Sequence, residues 1–191
     1  MRDLKALLAE LTGKDESVAE AAALMLADAG DAALPLLEPL LESPEADHRW
    51  WAVRTLAAMS QPRAEWLRRA LADPNADVRA AGALALAAHP DSSAHSELIS
   101  LLDDRDSLVA GIATKALVAR GSAVVPSLLE AFGAATPQAR IQIVRALAQI
   151  QDPQAIRLMM QAMDRSSAAL QYWAEQGLER LGLDMVYLMP E

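Results

Sequence analysis

Asp77-Val78-Arg79-Ala80-Ala81-Gly82-Ala83-Leu84-Ala85-Leu86 is the clearest copy of a unit that recurs along the whole chain. Its marks are the apolar Val78 and, eight positions on, Leu86. Equivalent pairs stand at Val18/Leu26, His48/Leu56, Val109/Leu117, Ala139/Leu147 and Leu170/Leu178, so the leucines are spaced by 30, 30, 31, 30 and 31 residues. So regular a period marks a stacked-repeat architecture, in which each unit buries its apolar face only against its neighbours.

Each full unit reads as two helices. The first carries the marker pair, from about Ser17 to Ala29, His48 to Met59, Asp77 to Ala88, Ser107 to Arg120, Pro137 to Ile150 and Ser167 to Leu181. It ends at a turn four residues past the leucine, at Gly30, Ser60, Pro90, Gly121, Gln151 and Gly182, mostly residues that stop helices. The second is shorter and closes on Leu41, Leu71, Leu102, Phe132 and Met163. Pro35 and Pro126 fall in its first turn, where a missing N–H costs nothing; Pro39 lies deeper and is expected to bend or loosen its helix. Asp73-Pro74 and Asp103-Asp104 are expected to supply caps for the helices that follow.

Composition agrees with this reading. Ala and Leu dominate and aromatic residues are 4%, which favours helix throughout and no strand. Cysteine is absent, which excludes disulfides and thiolate metal sites. The first ten residues mix charged and apolar groups at helical spacing, without the apolar run of a secretory signal, and no apolar run is long enough for a membrane span. A soluble cytoplasmic protein is the expectation. Net charge is −9, divided as −8 over residues 1–48, +3 over 49–80 and −4 over the remainder. That balance argues against a nucleic-acid partner, which needs clustered Lys and Arg.

The repeat resembles the short HEAT-like family first associated with phycobilisome lyases. The resemblance rests on Asp73-Pro74, Val78-Arg79 and Ala85-Leu86, on Ala116-Leu117-Val118-Ala119-Arg120-Gly121, and on Pro126-Ser127-Leu128-Leu129-Glu130-Ala131-Phe132, and it covers nearly the whole chain. It implies an interaction scaffold more often than an enzyme. It also implies that the arginine after the marker residue, here Arg49, Arg79 and Arg140, bonds to turns of neighbouring repeats. Ala110 and Gln171 break that ladder. Two further readings come with the family, a bilin or tetrapyrrole lyase or lyase-like chaperone, and a HEAT-like DNA-binding or glycosylase protein.

No catalytic, metal or cofactor site emerges from the residues. His48, His89 and His95 sit in unrelated contexts, none is followed by Glu, and no two have the spacing of a helical zinc site. Asp103-Asp104-Arg105-Asp106 lacks the alternating oxygen ligands, glycine and terminal Glu of a calcium loop, and is read as the turn between two repeats, with Asp106 or Ser107 capping the next helix. The aromatic residues say more. Trp51 and Trp173 fall at the same inward position and are read as core, whereas Trp50 and Tyr172 fall on the outer side.

Aligning the second helices puts Leu36, Trp66, Glu97, Ser127 and Leu158 in one row, with Pro39, Arg69, Ser100, Glu130 and Gln161 one turn further along the same face. In the resembling family this face lines the concave side. Trp66, with Arg68, Arg69 and Arg63 near it, has the composition of an interface hot spot. Leu36, Trp66, Arg68, Arg69 and Leu158 are therefore the expected contacts for a protein or peptide partner, acidic or amphipathic, with Trp50, Tyr187 and Leu188 as a possible second contact. The apolar tail after Gly182 begins a helix it does not finish; it is expected to fold back or to join a second copy, leaving a monomer or a homodimer.

The expected fold is an all-α, right-handed solenoid in a single domain over residues 1–191. Residues 1–12 are a leading half-repeat, 13–163 five repeats and 164–191 a truncated terminal repeat. The expected function is a non-catalytic protein-interaction scaffold.

Overall fold

The structure is a computed structural model that describes residues 3–164 and 167–183. Twelve α-helices and no strand are present among the described residues, in the two-helix alternation of an α-solenoid. The chain divides into two compact units, Met1–Asp91 and Ser92–Glu191.

The first unit holds α1 (Leu4–Leu11), α2 (Glu16–Asp28), α3 (Leu34–Leu41), α4 (Ala46–Ala58), α5 (Ala64–Ala70) and α6 (Ala76–Ala88). Helices α2, α4 and α6 pack side by side, while α3 packs on α4 and α5 on α6. The second unit holds α7 (His95–Ser100), α8 (Ser107–Val118), α9 (Val125–Phe132), α10 (Pro137–Ile150), α11 (Ile156–Met163) and α12 (Ala168–Arg180). There α8, α10 and α12 form the corresponding layer, with α7, α9 and α11 beside it.

The periodic leucines explain the packing. Leu26, Leu56, Leu86, Leu117, Leu147 and Leu178 are all 0% exposed. Burying a leucine side chain contributes about 2 kcal/mol, so each repeat owes much of its cohesion to one position. The partner eight residues earlier is also buried at Val78, Val109, Ala139 and Leu170, but Val18 is 41% exposed. Only α1 packs on α2 from its N-terminal side among the described residues, so the first turn of α2 lacks the cover its counterparts have.

Helix starts are capped by short polar side chains. Asp15 accepts from the amides of Ser17 and Val18, Asn75 from Asp77 and Val78, Asp106 from Leu108, and Thr136 from Ala139. The cap of α6 is thus Asn75, not the Asp73-Pro74 turn itself, whereas α8 is capped by Asp106, one of the two residues expected there. Asp73 and Asp104 act one step earlier, accepting from the amides of Asn75 and Asp106 and so bending the chain into each cap.

Two modes end the first helices. Gly30, Gly121, Gly182 and Gln151 adopt left-handed backbone, with φ of 58°, 57°, 79° and 60°. After α12 the amides of Gly182 and Leu183 return to the carbonyls of Glu179 and Leu178, the paired bonds of a Schellman turn. In place of that turn, α4 and α6 stop on non-helical residues with negative φ, Met59 and His89. For His89 the cause is Pro90, which disfavours helical backbone in the residue before it. Pro35 and Pro126 occupy first turns as expected, and α3 runs on through Pro39 to Leu41.

Turns of successive repeats are tied to one another. His89 Nε2 donates to the carbonyl of Ala57 at 2.9 Å, and Thr136 Oγ1 donates to Asp103 Oδ1 at 2.6 Å. The Ser122 hydroxyl donates to Asp152, and that bond, with the amide of Gln154, holds the Asp152 carboxyl below the usual carboxylate range.

Candidate functional site

Helix α5 is one of the shortest helices among the described residues, with seven residues. Leu67 and Ala70 turn inward, leaving Trp66 half-buried and Arg69 exposed on the opposite side. Arg68 and Arg69 fall in its last turn, where cations complement the helix dipole. Trp66 lines a cavity of about 320 Å³ together with Leu41, Glu42, Arg69, Asp73 and Val78. A large aromatic surface is therefore only partly covered, beside the acids Glu42 and Asp73 and the bases Arg49 and Arg69.

The arginines around Trp66 are less available than their sequence positions imply. Arg69 is ion-paired with Glu42 at the end of α3, and Arg63 lies 3.8 Å from Asp31. Both pairs are at the surface and contribute little to stability, yet they neutralise the basic patch locally. Glu42 and Asp31 are additions to the site that sequence inspection passed over. The available signal was opposite charge about one period apart, which places the two side chains on adjacent repeats.

Other predicted contacts are scattered. Leu36 is half-buried on α3, and Arg68 is half-buried on α5. Leu158, in the second unit, is only 8% exposed and belongs to the core, so it offers a partner little surface. The second row fares better, since Pro39, Arg69, Ser100, Glu130 and Gln161 are all exposed. Trp50 is half-buried and meets Trp51 edge-on, with centroids 4.9 Å apart. Trp51 and Trp173 are themselves only half-buried, less enclosed than core residues; Arg145 lies 5.2 Å over the Trp173 ring. Tyr187 and Leu188, and the tail proposed to fold back or dimerise, lie outside the described residues.

The arginines after the marker residues serve the fold. Arg49 donates to the carbonyls of Ser43 and Pro44 and also grips Asp73 in the next turn. Arg79 donates to the carbonyls of Asp73 and Pro74, and Arg140 to those of Phe132 and Gly133. Gln171 fills the same place, its amide donating to the Met163 carbonyl at 3.1 Å. A neutral donor thus replaces the arginine in that unit, so the ladder extends further than the arginines alone indicate.

Nothing in the described residues assembles into a reactive centre. No group of three or more His, Cys, Asp or Glu that would hold a metal ion occurs among them. His48 Nδ1 sits 3.2 Å from Ser43 Oγ, and Asp103, Asp104 and Asp106 are each engaged in turn and cap bonds. No single helix among the described residues is long and apolar enough to cross a membrane.

Known proteins share this architecture. An engineered protein matches with a TM-score of 0.57 at 23% identity, covering 95% of this chain and 99% of that one. A designed armadillo repeat protein in complex with a (KR)4 peptide matches with a TM-score of 0.54 at 18% identity, covering 94% and 100%. The complex of CpcE and CpcF of phycocyanin lyase from Nostoc sp. PCC7120 matches with a TM-score of 0.53 at 23% identity, covering 95% of this chain and 78% of that one. These likenesses show the fold alone. In sequence, the bilin biosynthesis protein RpcF of Synechococcus sp. (strain WH8020) is 37% identical over 87 residues, which are 45% of this chain and 42% of that protein. The PBS lyase HEAT-like repeat profile matches residues 139–165, and the HEAT repeats profile matches residues 4–65 and 64–136. With most of its length matched by that profile and its helices paired as the repeat requires, the chain belongs to the HEAT-repeat family.

Proposed function

We propose that the chain is a non-catalytic interaction module that binds a protein or peptide partner on the second-helix face of its first unit, around Trp66 and Arg69. The observation that carries this reading is the half-buried Trp66 at a cavity rimmed by the ion-paired Glu42 and Arg69. Partly desolvated tryptophan beside arginine is the composition of binding hot spots. The Arg69–Glu42 pairing favours an amphipathic segment over a purely acidic one: an apolar side chain fills the cavity and flanking charges of either sign exchange with the pair. Affinity capture from a native lysate tests this, with the wild type beside Trp66→Ala/Arg69→Glu. A protein retained only by the wild type supports the reading, and identical captures from both refute it.

A second reading, a subunit or chaperone of a bilin lyase, is favoured by the 37% identity to RpcF. The match spans less than half of that relative, so its activity does not follow for this chain. Titration with a free bilin separates the readings: a saturable absorbance shift supports the second, and an unshifted spectrum removes it.

A further inference from the structure

A larger groove than the one at Trp66 runs along the edge where the N-terminal turns of α2, α4 and α6 meet, with a volume of about 850 Å³. Two chemistries line it. Trp50 and Trp51 stand with their rings at 84° to each other, both half-buried, so that each keeps surface open to solvent. Around them are the carboxylates Glu16, Glu20, Asp47 and Asp77, against a single lysine, Lys14. Glu20 is held by Arg54, but among the described residues Glu16, Asp47 and Asp77 form no ion pair.

Helix dipoles account for part of this. Glu16, Asp47 and Asp77 each lie in a first turn, where negative charge is favourable. Dipoles do not account for two adjacent, partly open tryptophans at the same groove. Together the two features select a ligand that is cationic and has a planar face. Guanidinium meets both demands: it stacks on indole, and its fork of donors matches a carboxylate. Ammonium offers charge without the plane.

The extent of the groove points to an extended segment over a small molecule. Three neighbouring first helices at about 9–10 Å spacing make a surface about 20 Å across, the reach of about six extended residues. We infer that this groove docks an extended arginine-rich segment of a partner protein, its guanidinium groups stacking on Trp50 and Trp51 and pairing with Asp47 and Asp77. The inference does not depend on the Trp66 face.

A fluorescently labelled all-arginine peptide, titrated at low and high salt, tests it. The wild type is expected to bind saturably and more weakly as salt rises. Trp50→Leu and, separately, Asp47→Asn/Asp77→Asn are each expected to lower affinity about tenfold, and an all-lysine peptide is expected to bind about tenfold more weakly than all-arginine. Glu175→Gln/Glu179→Gln, which removes acid elsewhere, is expected to change nothing. Circular dichroism of every variant separates misfolding from lost contact, and a misfolded Trp50→Leu is replaced by Trp50→Phe, expected to keep most of the affinity. The inference is overturned by absent saturable binding, by full affinity in Trp50→Leu, or by equal loss in Glu175→Gln/Glu179→Gln. Tight binding of tetramethylammonium with no gain for the peptide assigns the groove to a small quaternary cation and overturns it too.

Discussion

Arg49 and Asp73 form a bidentate pair across one repeat, Nε to Oδ2 at 2.7 Å and Nη2 to Oδ1 at 2.8 Å, with both side chains largely shielded from water. The same guanidinium donates to the carbonyls of Ser43 and Pro44, so one side chain joins the turn before α4 to the turn before α6. Arg49→Ala leaves a shielded carboxylate without its main partner. We predict a loss of about 2–3 kcal/mol, read from urea unfolding with the slope unchanged. A loss no larger than that of an exposed ion pair would show that the turns are held by packing alone.

The same pair gives the first unit an acid-side pH dependence. Burial pushes the Asp73 carboxyl up, but the hydrogen bonds from Arg49 and the Asn75 amide, with the charges of Arg49 and Arg79, outweigh it and hold it below its usual value. A lowered folded value means that this stability is whole above the unfolded pKa of about 3.9 and is lost as pH falls through the folded one. Urea midpoints measured down this range are predicted to fall less steeply in Arg49→Ala than in the wild type. Parallel curves would contradict the assignment.

Two glycines inside helices should respond oppositely to the same change. A Cβ on Gly82 would lie 2.8 Å from the Ala70 Cβ and 3.1 Å from the Leu67 carbonyl oxygen, where α5 crosses α6. A Cβ on Gly111, within α8, would meet nothing within 4 Å. Gly82→Ala is predicted to destabilise by about 1–3 kcal/mol through overpacking, and Gly111→Ala to stabilise by about 0.5–1 kcal/mol through helix propensity. Thermal melts of the two variants check both signs.

Gln151 pays for a left-handed backbone that three other repeats give to glycine. Gln151→Gly should stabilise the second unit by about 0.5–1 kcal/mol, and Gly121→Ala, with open space around it but φ at 57°, should destabilise by a similar amount. Unequal signs in denaturant unfolding support the account; two losses contradict it.

Glu42→Gln should cost under about 0.5 kcal/mol, because its pair with Arg69 is exposed. By freeing Arg69 it should also strengthen capture of a partner that presents acid to the Trp66 face. Calorimetry against the captured partner checks this, and weaker binding would mean that Glu42 itself makes the contact.

The parts of the fold that depend on spacing within the chain were the legible ones. The six periodic leucines are all fully enclosed, and the predicted spans of the first helices agree with the structure to within about two residues, because apolar period and turn residues act locally. What depends on a neighbouring repeat was not legible. Gln171 reads as a break in the arginine ladder, yet a neutral amide reaches the same carbonyl. Leu158 aligns with Trp66 by register but is buried, since register fixes a face and not how closely the next helix covers it. Arg63 and Arg69 read as a free basic patch because their acids, Asp31 and Glu42, sit a repeat away.

The most direct test of the central claim is amide hydrogen exchange of the chain alone and with its captured partner. Binding at the second-helix face predicts slowed exchange in α3 and α5, around Trp66, with α10 and α12 unchanged. A bound partner that leaves α3 and α5 exchanging as in the free chain would contradict the claim.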